Sequence, residues 1–192
     1  MLLVPAVELG LWNAWIFVLP LLVIMFSDMK VTSVRESGKG GDFQLTKTES
    51  RITYLVFLPM IGSFIYSIFL PLQLGTLWLY SGLFVYLFGI AFTIIAIQNF
   101  ASNPKDKVII KGLYRVTRNP MYIGLVLIQT GLGIACASWV YLLLTVALII
   151  LLNANLAAEE RYCLHIYGDN YQKYKSNTPR WIGIPKSEKR KQ

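Results

Sequence analysis

"RNPMYIGLVLIQTGLGIACASWVYLLLTVALIILLNANLAAEER", residues 118–161, decides how this chain folds. Two apolar runs, Met121 to Ala137 and Trp139 to Ala157, touch at Ala137-Ser138. Runs of about 18 apolar residues read as membrane spans. With no room for a loop between them, these two predict a tight helical hairpin or one bent pair. The outer ends are polar: Arg118, Asn119 and Pro120 lead in, and Glu159, Glu160 and Arg161 lead out. A hairpin returns its open ends to one place, so "RNPMY" and "EER" are expected as neighbours at one membrane rim.

Three more apolar blocks precede the hairpin, roughly Leu9 to Ser27, Ile52 to Leu70 and Thr76 to Ile97. The chain is 55% hydrophobic with a mean hydropathy of +0.53, too apolar for an ordinary soluble domain. With 192 residues, the expectation is one all-α, polytopic membrane domain with about five spans. Within it, residues 1–97 read as a three-span scaffold with a hydrophilic loop at 28–51, and residues 98–192 as a functional core. Pro20, Pro59 and Pro71 predict kinks or helix ends, and Gly62, Gly82 and Gly89 close helix packing. No cleavable signal peptide is expected, since no basic leader precedes the first block.

The charges support an odd number of spans. Lys30, Arg35, Lys39, Lys47 and Arg51 follow the first block; Lys105, Lys107, Lys111, Arg115 and Arg118 follow the third; the remaining basic residues, from Arg161 to Lys191, follow the fifth. Five spans put all 18 Lys and Arg on one side. The positive-inside rule then predicts an outside N-terminus and a cytoplasmic C-terminus. The net charge of +8 is thus a topology and lipid-contact signal, not a sign of nucleic acid.

Other chemistries find little support. Cys136 and Cys163 fall in different environments and predict no disulfide, and one histidine, His165, makes no zinc-type ligand cluster. "SGKGGD", residues 37–42, lacks the spacing of a phosphate-binding loop.

The polar connector "QNFASNPKDKVIIKGLYRVTRNPMYIG", residues 98–124, carries a turn signal at Asn103-Pro104 and an apolar run, Val108 to Ile110, too short to span. Gly112 permits a turn, Asn119 is placed to cap the next helix, and Pro120 suits its first turn. Beyond the hairpin, Asn155 and Glu159 share a helix face. Two carboxylates at a helix C-terminus oppose the helix dipole, so Glu159-Glu160 predicts either a helix that continues or a facing cation. "YGDNYQKY", residues 167–174, reads as a short amphipathic segment, and "TPRWIGIP", 178–185, as an extended tail.

Together these place a basic loop, an Asn, two Tyr and two Glu under one rim. Such a pocket suits a ligand with a cation, a carboxylate and an aromatic base: carboxylates for the cation, Arg118 or backbone N–H groups for the carboxylate, and Tyr114, Tyr122 or the 108–110 run for the base.

The pair "IIKGLYRVTRNPMYIG" and "EERYCLHIYGDNYQKY", around a hydrophobic hairpin and closed by "PRWIGIP", resembles the isoprenylcysteine carboxyl methyltransferase and phospholipid methyltransferase group of integral-membrane enzymes. The resemblance covers roughly residues 98–185. It implies methyl transfer from S-adenosylmethionine, with S-adenosylhomocysteine as product, to a lipophilic acceptor from the bilayer. It also implies a cofactor site at Asp106, Lys107, Val108, Ile109, Gly112, Tyr114, Arg118, Asn119, Pro120, Met121, Tyr122 and Glu159. Two departures matter. The commonest form of the group has His where this chain has Asn119. The isoprenylcysteine enzymes have a substrate-binding Arg where this chain has Asn155, which cannot neutralise a carboxylate. Arg180 is the candidate replacement, so Asn155 and Arg180 are the substrate-binding candidates, and Glu160 and Arg180 the catalytic ones. The acceptor stays open between an isoprenylcysteine-like carboxylate and a lipid amine. An NADPH-dependent membrane reductase and a non-enzymatic membrane scaffold are the rival readings.

Overall fold

The computed structural model describes residues 9–36 and 41–183. Six helices follow in order: α1 (Trp15–Glu36), α2 (Lys47–Phe69), α3 (Leu77–Ala101), α4 (Pro120–Ala135), α5 (Trp139–Tyr167) and α6 (Asp169–Asn177), with a 3-10 turn at Gly112–Arg115 before α4. There is no strand among the described residues. The fold is all-α and polytopic. α1, α2, α3 and α5 are each long and apolar enough to cross a membrane, whereas α4 is apolar but shorter.

Backbone hydrogen bonds identify the two ends of the bundle. At one end, Leu72 N–H donates to Trp12 O (3.0 Å) and Gln73 N–H to Ala135 O (3.3 Å). The N-terminal stretch, the α2–α3 connection and the α4–α5 turn therefore meet there. At the other end, Arg118 N–H donates to Pro179 O (3.0 Å), and Arg161 reaches Glu49 (3.0 Å from Nε). The described basic residues gather at this second end, as the charge pattern predicts.

The α4–α5 turn is as tight as the sequence implies. Ser138 N–H reaches back to Gly133 O (3.0 Å) and Ala137 N–H to Ile134 O (2.8 Å). Ala137 takes a left-handed backbone, φ 50°, which costs an L-residue about 1–2 kcal/mol. Ser138 offsets part of this by capping α5 at Tyr141 N–H. Deeper in the hairpin, Tyr141 donates to Gln129 Oε1 (2.7 Å); both residues are fully buried.

α3 packs along α4 on a seam of small residues. A Cβ on Gly82 would lie 2.2 Å from Ala135 N, and one on Gly131 would lie 2.5 Å from Tyr86 N. These approaches are too close for any side chain, so the helices touch backbone to backbone. Gly89 also faces α4 closely, but a Cβ at Gly62 would meet only Leu144 at an ordinary 3.8 Å. Close packing thus needs Gly82 and Gly89 and does not need Gly62.

Four predicted boundaries change. The first helix starts at Trp15, not Leu9, because residues 12–14 pair in extended form with 70–72. It then runs to Glu36, absorbing polar residues expected in a loop. α2 starts at Lys47, not Ile52, behind a reciprocal Thr46–Glu49 capping box. Of the predicted loop at 28–51, residues 41–46 remain outside helices, while 37–40, most of "SGKGGD", lie outside the described residues. α5 continues to Tyr167, ten residues past the expected end, and Glu159-Glu160 lies inside a helix. Pro20 and Pro59 sit within helices, and Pro71 follows a helix end.

Gly131→Val forces a side chain into the α3 backbone. Overpacking of this kind costs about 1–3 kcal/mol or more. Thermal unfolding in detergent should show a clear drop in midpoint, with Gly62→Ala close to the parent.

Candidate active site at the open end of the hairpin

Helix lengths set the position of the site. α4 has 16 residues, about 24 Å at 1.5 Å per residue. α5 has 29 residues, about 43 Å. Both start from the same turn, so α4 begins opposite Asn155 to Glu159, and the last turns of α5 stand beyond it. Tyr122, in the first turn of α4, donates its hydroxyl to Glu159 Oε1. Asn155 Nδ2 donates to the same oxygen (2.8 Å). Thr53 of α2 donates to Asn155 Oδ1 (2.8 Å). Asp28 of α1 lies close enough to Tyr122 to act on it electrostatically. Among these contacts the Glu159 carboxylate is met by neutral groups.

Glu160, one residue on, has the opposite surroundings. Arg118 Nη2 lies 3.1 Å from Oε1, Arg180 Nε 2.8 Å from Oε1, and Lys175 Nζ 2.9 Å from Oε2. Its side chain is 5% exposed and that of Arg118 9%. This is the facing cation that the Glu pair predicts, three times over. Arg118 keeps Nε and Nη1 buried with no hydrogen-bond partner among the described residues. Such donors carry a desolvation cost until an acceptor arrives.

Asn119 stands at the N-cap of α4, just before Pro120, but makes no capping bond from its side chain, contrary to expectation. Its Nδ2 donates instead to Arg180 O (2.9 Å), while its N–H is taken by Thr117 Oγ1 (3.1 Å). Pro120 does stand at the helix start, and Met121 is half-buried behind it.

The connector folds under this rim. Asn103 is buried, and its Nδ2 reaches Lys107 O (3.3 Å) and Val108 O (3.5 Å), bending the chain after Pro104. In the run 108–110, Val108 is half-buried, Ile109 buried and Ile110 exposed, while Asp106 and Lys107 face outward. Gly112 has φ 56°, and a Cβ there would lie 2.3 Å from Asn99 Nδ2, a buried donor with no partner among the described residues. Tyr114 is buried, beside Phe100, and its carbonyl accepts from Tyr174 OH (2.7 Å). Burial pushes the Tyr174 phenol above its usual range, which keeps the hydroxyl a donor.

The structure thus brings Tyr122, Asn155 and Glu159 into one cluster and Arg118, Glu160 and Arg180 into another beside it. Asp28, Thr53 and Asn99 are additions from α1, α2 and α3. Asp28 and Thr53 look in sequence like a span boundary and a helix start. Asp28's one signal was being an ionisable residue in a stretch, Trp15–Ser33, that is long and apolar enough to cross a membrane. No group of three His, Cys, Asp or Glu placed for a metal occurs among the described residues. A surface groove lined by Arg51, Tyr54, Leu55 and Leu58 lies on α2, apart from these polar groups.

The phospholipid methyltransferase family model matches residues 72–170, just over half of the 192-residue chain. The chain belongs to the phospholipid methyltransferase family. Comparisons with curated proteins and with solved structures yield no match. As a member of this family the protein is a membrane methyltransferase, and its activity draws on a methyl donor. The matched span holds α3, the connector, the hairpin and the start of α6. It includes both Glu159 and Glu160, while Arg180 and the rest of the tail fall outside it.

Removing the charge of Glu160 leaves three cations crowded without a counter-ion. Glu160→Gln should lower stability by about 3 kcal/mol, read as a melting shift in detergent. Arg161→Ala, which opens the more exposed bond to Glu49, should shift the melt far less.

Proposed function

We propose that the protein transfers a methyl group from S-adenosylmethionine to a lipophilic acceptor at the rim where α4 and α5 meet. The observation that carries this is the Tyr122–Asn155–Glu159 cluster, in which a phenol and an amide donate to one carboxylate oxygen, beside Arg118, whose Nε and Nη1 are buried without a hydrogen-bond partner among the described residues. The pair fits a zwitterion: Glu159 for the cationic part and Arg118 for a carboxylate. Asn99, whose Nδ2 is buried beside Gly112 with no partner among the described residues, and the half-buried Val108 suit the wall facing a nucleoside. Lys107, Ile109, Tyr114, Pro120 and Met121 shape that wall from behind or at its edge, and Asn119 holds the chain in front of it.

The cofactor supplies a methyl group already activated as a sulfonium. The residues around it need mainly to align the acceptor and exclude water. Glu160 is committed to three cations, which suits a clamp better than a base. With Asn155 in place of an Arg, and Asp28 within electrostatic reach of Tyr122, the acceptor side is acidic. That favours an amine acceptor over an isoprenylcysteine-like carboxylate, with Asp28 placed to receive a proton lost by the amine. Residues 98–183 then form the core around the cofactor, and α1 and α2 serve as scaffold that also reaches the acceptor side. By the positive-inside rule this end faces the cytoplasm and the N-terminus the outside.

Calorimetry in detergent should give S-adenosylhomocysteine binding that weakens about tenfold or more in Glu159→Gln, the loss of roughly one charge-assisted hydrogen bond. Equal affinity in parent and variant removes Glu159 as a ligand. In a labelled-methyl assay, lipid amines should accept methyl and prenylcysteine carboxylates should not; Asp28→Asn should slow the amine reaction.

A further inference from the structure

The tail after α6 does more than trail from the bundle. Residues 178–183 run as a strap along the three residues that precede Pro120. Arg118 N–H donates to Pro179 O (3.0 Å). Thr117 Oγ1 (3.1 Å) and Asn119 Nδ2 (2.9 Å) both donate to Arg180 O. One carbonyl, that of Arg180, thus receives two side chains from the entrance to α4.

From that pinned carbonyl the strap reaches across to α5 by two side chains. Arg180 bonds Glu160 (2.8 Å). Trp181 donates Nε1 to Asn153 Oδ1 (3.1 Å) and packs its ring on the apolar cluster of Val56, Met60, Leu148 and Leu152, against which Tyr122 also packs. The strap therefore bridges the two helices that carry Tyr122 and Glu159. It puts an aromatic ring where the polar rim gives way to apolar surface, as Trp does at membrane interfaces.

We propose that Asn119 is a positioning residue that acts through Arg180: its amide holds the strap in place, so that Trp181 forms the side wall against which the acceptor's apolar chain lies. The Nδ2 of Asn119 is directed at the strap, so its effect should fall on the acceptor and not on the cofactor. The kinetic arm of the test rests on the methyl-transfer reading above, and the proteolysis arm does not.

Asn119→Asp keeps the size of the side chain and replaces the donor with an acceptor that faces a carbonyl. In the full-length protein in detergent, tryptic cleavage after Arg180, followed by mass spectrometry, should accelerate about tenfold. KM for the acceptor should rise about tenfold while S-adenosylhomocysteine affinity stays within about twofold. Asn119→His retains an N–H donor and should restore protection and KM. Thr117→Val removes the other donor to the same carbonyl and should give a smaller acceleration, a check that holds if the Asp variant folds poorly. Unchanged cleavage in both Asn119→Asp and Thr117→Val overturns the proposal. So does a tenfold loss of cofactor affinity with the strap still protected, which would place Asn119 on the cofactor. If the parent transfers no methyl group to any acceptor, only the methyl-transfer reading fails, and cleavage still decides whether Asn119 holds the strap.

Discussion

Sixteen residues of α4 stand beside 29 of α5, and that mismatch governs the arrangement at the site. Two helices from one turn must end at different heights when one is nearly twice as long. The shorter one exposes its first-turn polar groups partway along its partner. α5 therefore needs polar side chains well before its end, and Asn153, Asn155, Glu159 and Glu160 occupy that stretch. The remaining turns of α5 rise past the mouth and lead into α6, whose Lys175 folds back onto Glu160. The connector before α4 and the strap after α6 pack into the height left over.

Within that recess two adjacent carboxylates receive opposite treatment. On a helix, neighbours in sequence point about 100° apart, so Glu159 faces Tyr122 while Glu160 faces the strap. Glu160, almost wholly buried, is neutralised by Arg118, Lys175 and Arg180 and ties three separate segments together. Glu159 accepts from a phenol and an amide, which fix the position of its Oε1. One dipeptide thus supplies a tie to three cations and a carboxylate turned toward Tyr122 and Asn155, each defined by what the bundle packs against it.

Much of this was legible in the sequence because it rested on local signals. The adjoining apolar runs gave the hairpin and with it the neighbourhood of "RNPMY" and "EER", and the distribution of Lys and Arg gave the shared polar end. The extension of α5 was also readable, since no Gly or Pro interrupts the chain between Ala157 and Gly168. The capping box at Thr46 and Glu49 was there in spacing alone. Asp28 and Thr53 were not legible, because the reach of one to Tyr122 and the bond of the other to Asn155 depend on how α1 and α2 rotate in the bundle, and no periodicity reports that. The side-chain cap expected of Asn119 does not form, for the related reason that a capping position states where a side chain starts, and the strap that takes its amide lies some 60 residues away.

The buried bond between Tyr141 and Gln129 has a consequence at the opposite end of the same hairpin. In hydrocarbon a hydroxyl and an amide have nothing else to turn to, so sliding or rotating α5 against α4 by one residue strands both polar groups. The bond acts as an index mark between two otherwise greasy cylinders, whose Leu and Ile side chains would accept several alignments. Two helical turns above Gln129 on α4 lies Tyr122, and five turns above Tyr141 on α5 lies Glu159. The register of the rim groups is set from near the closed end of the hairpin, by two residues that touch none of them.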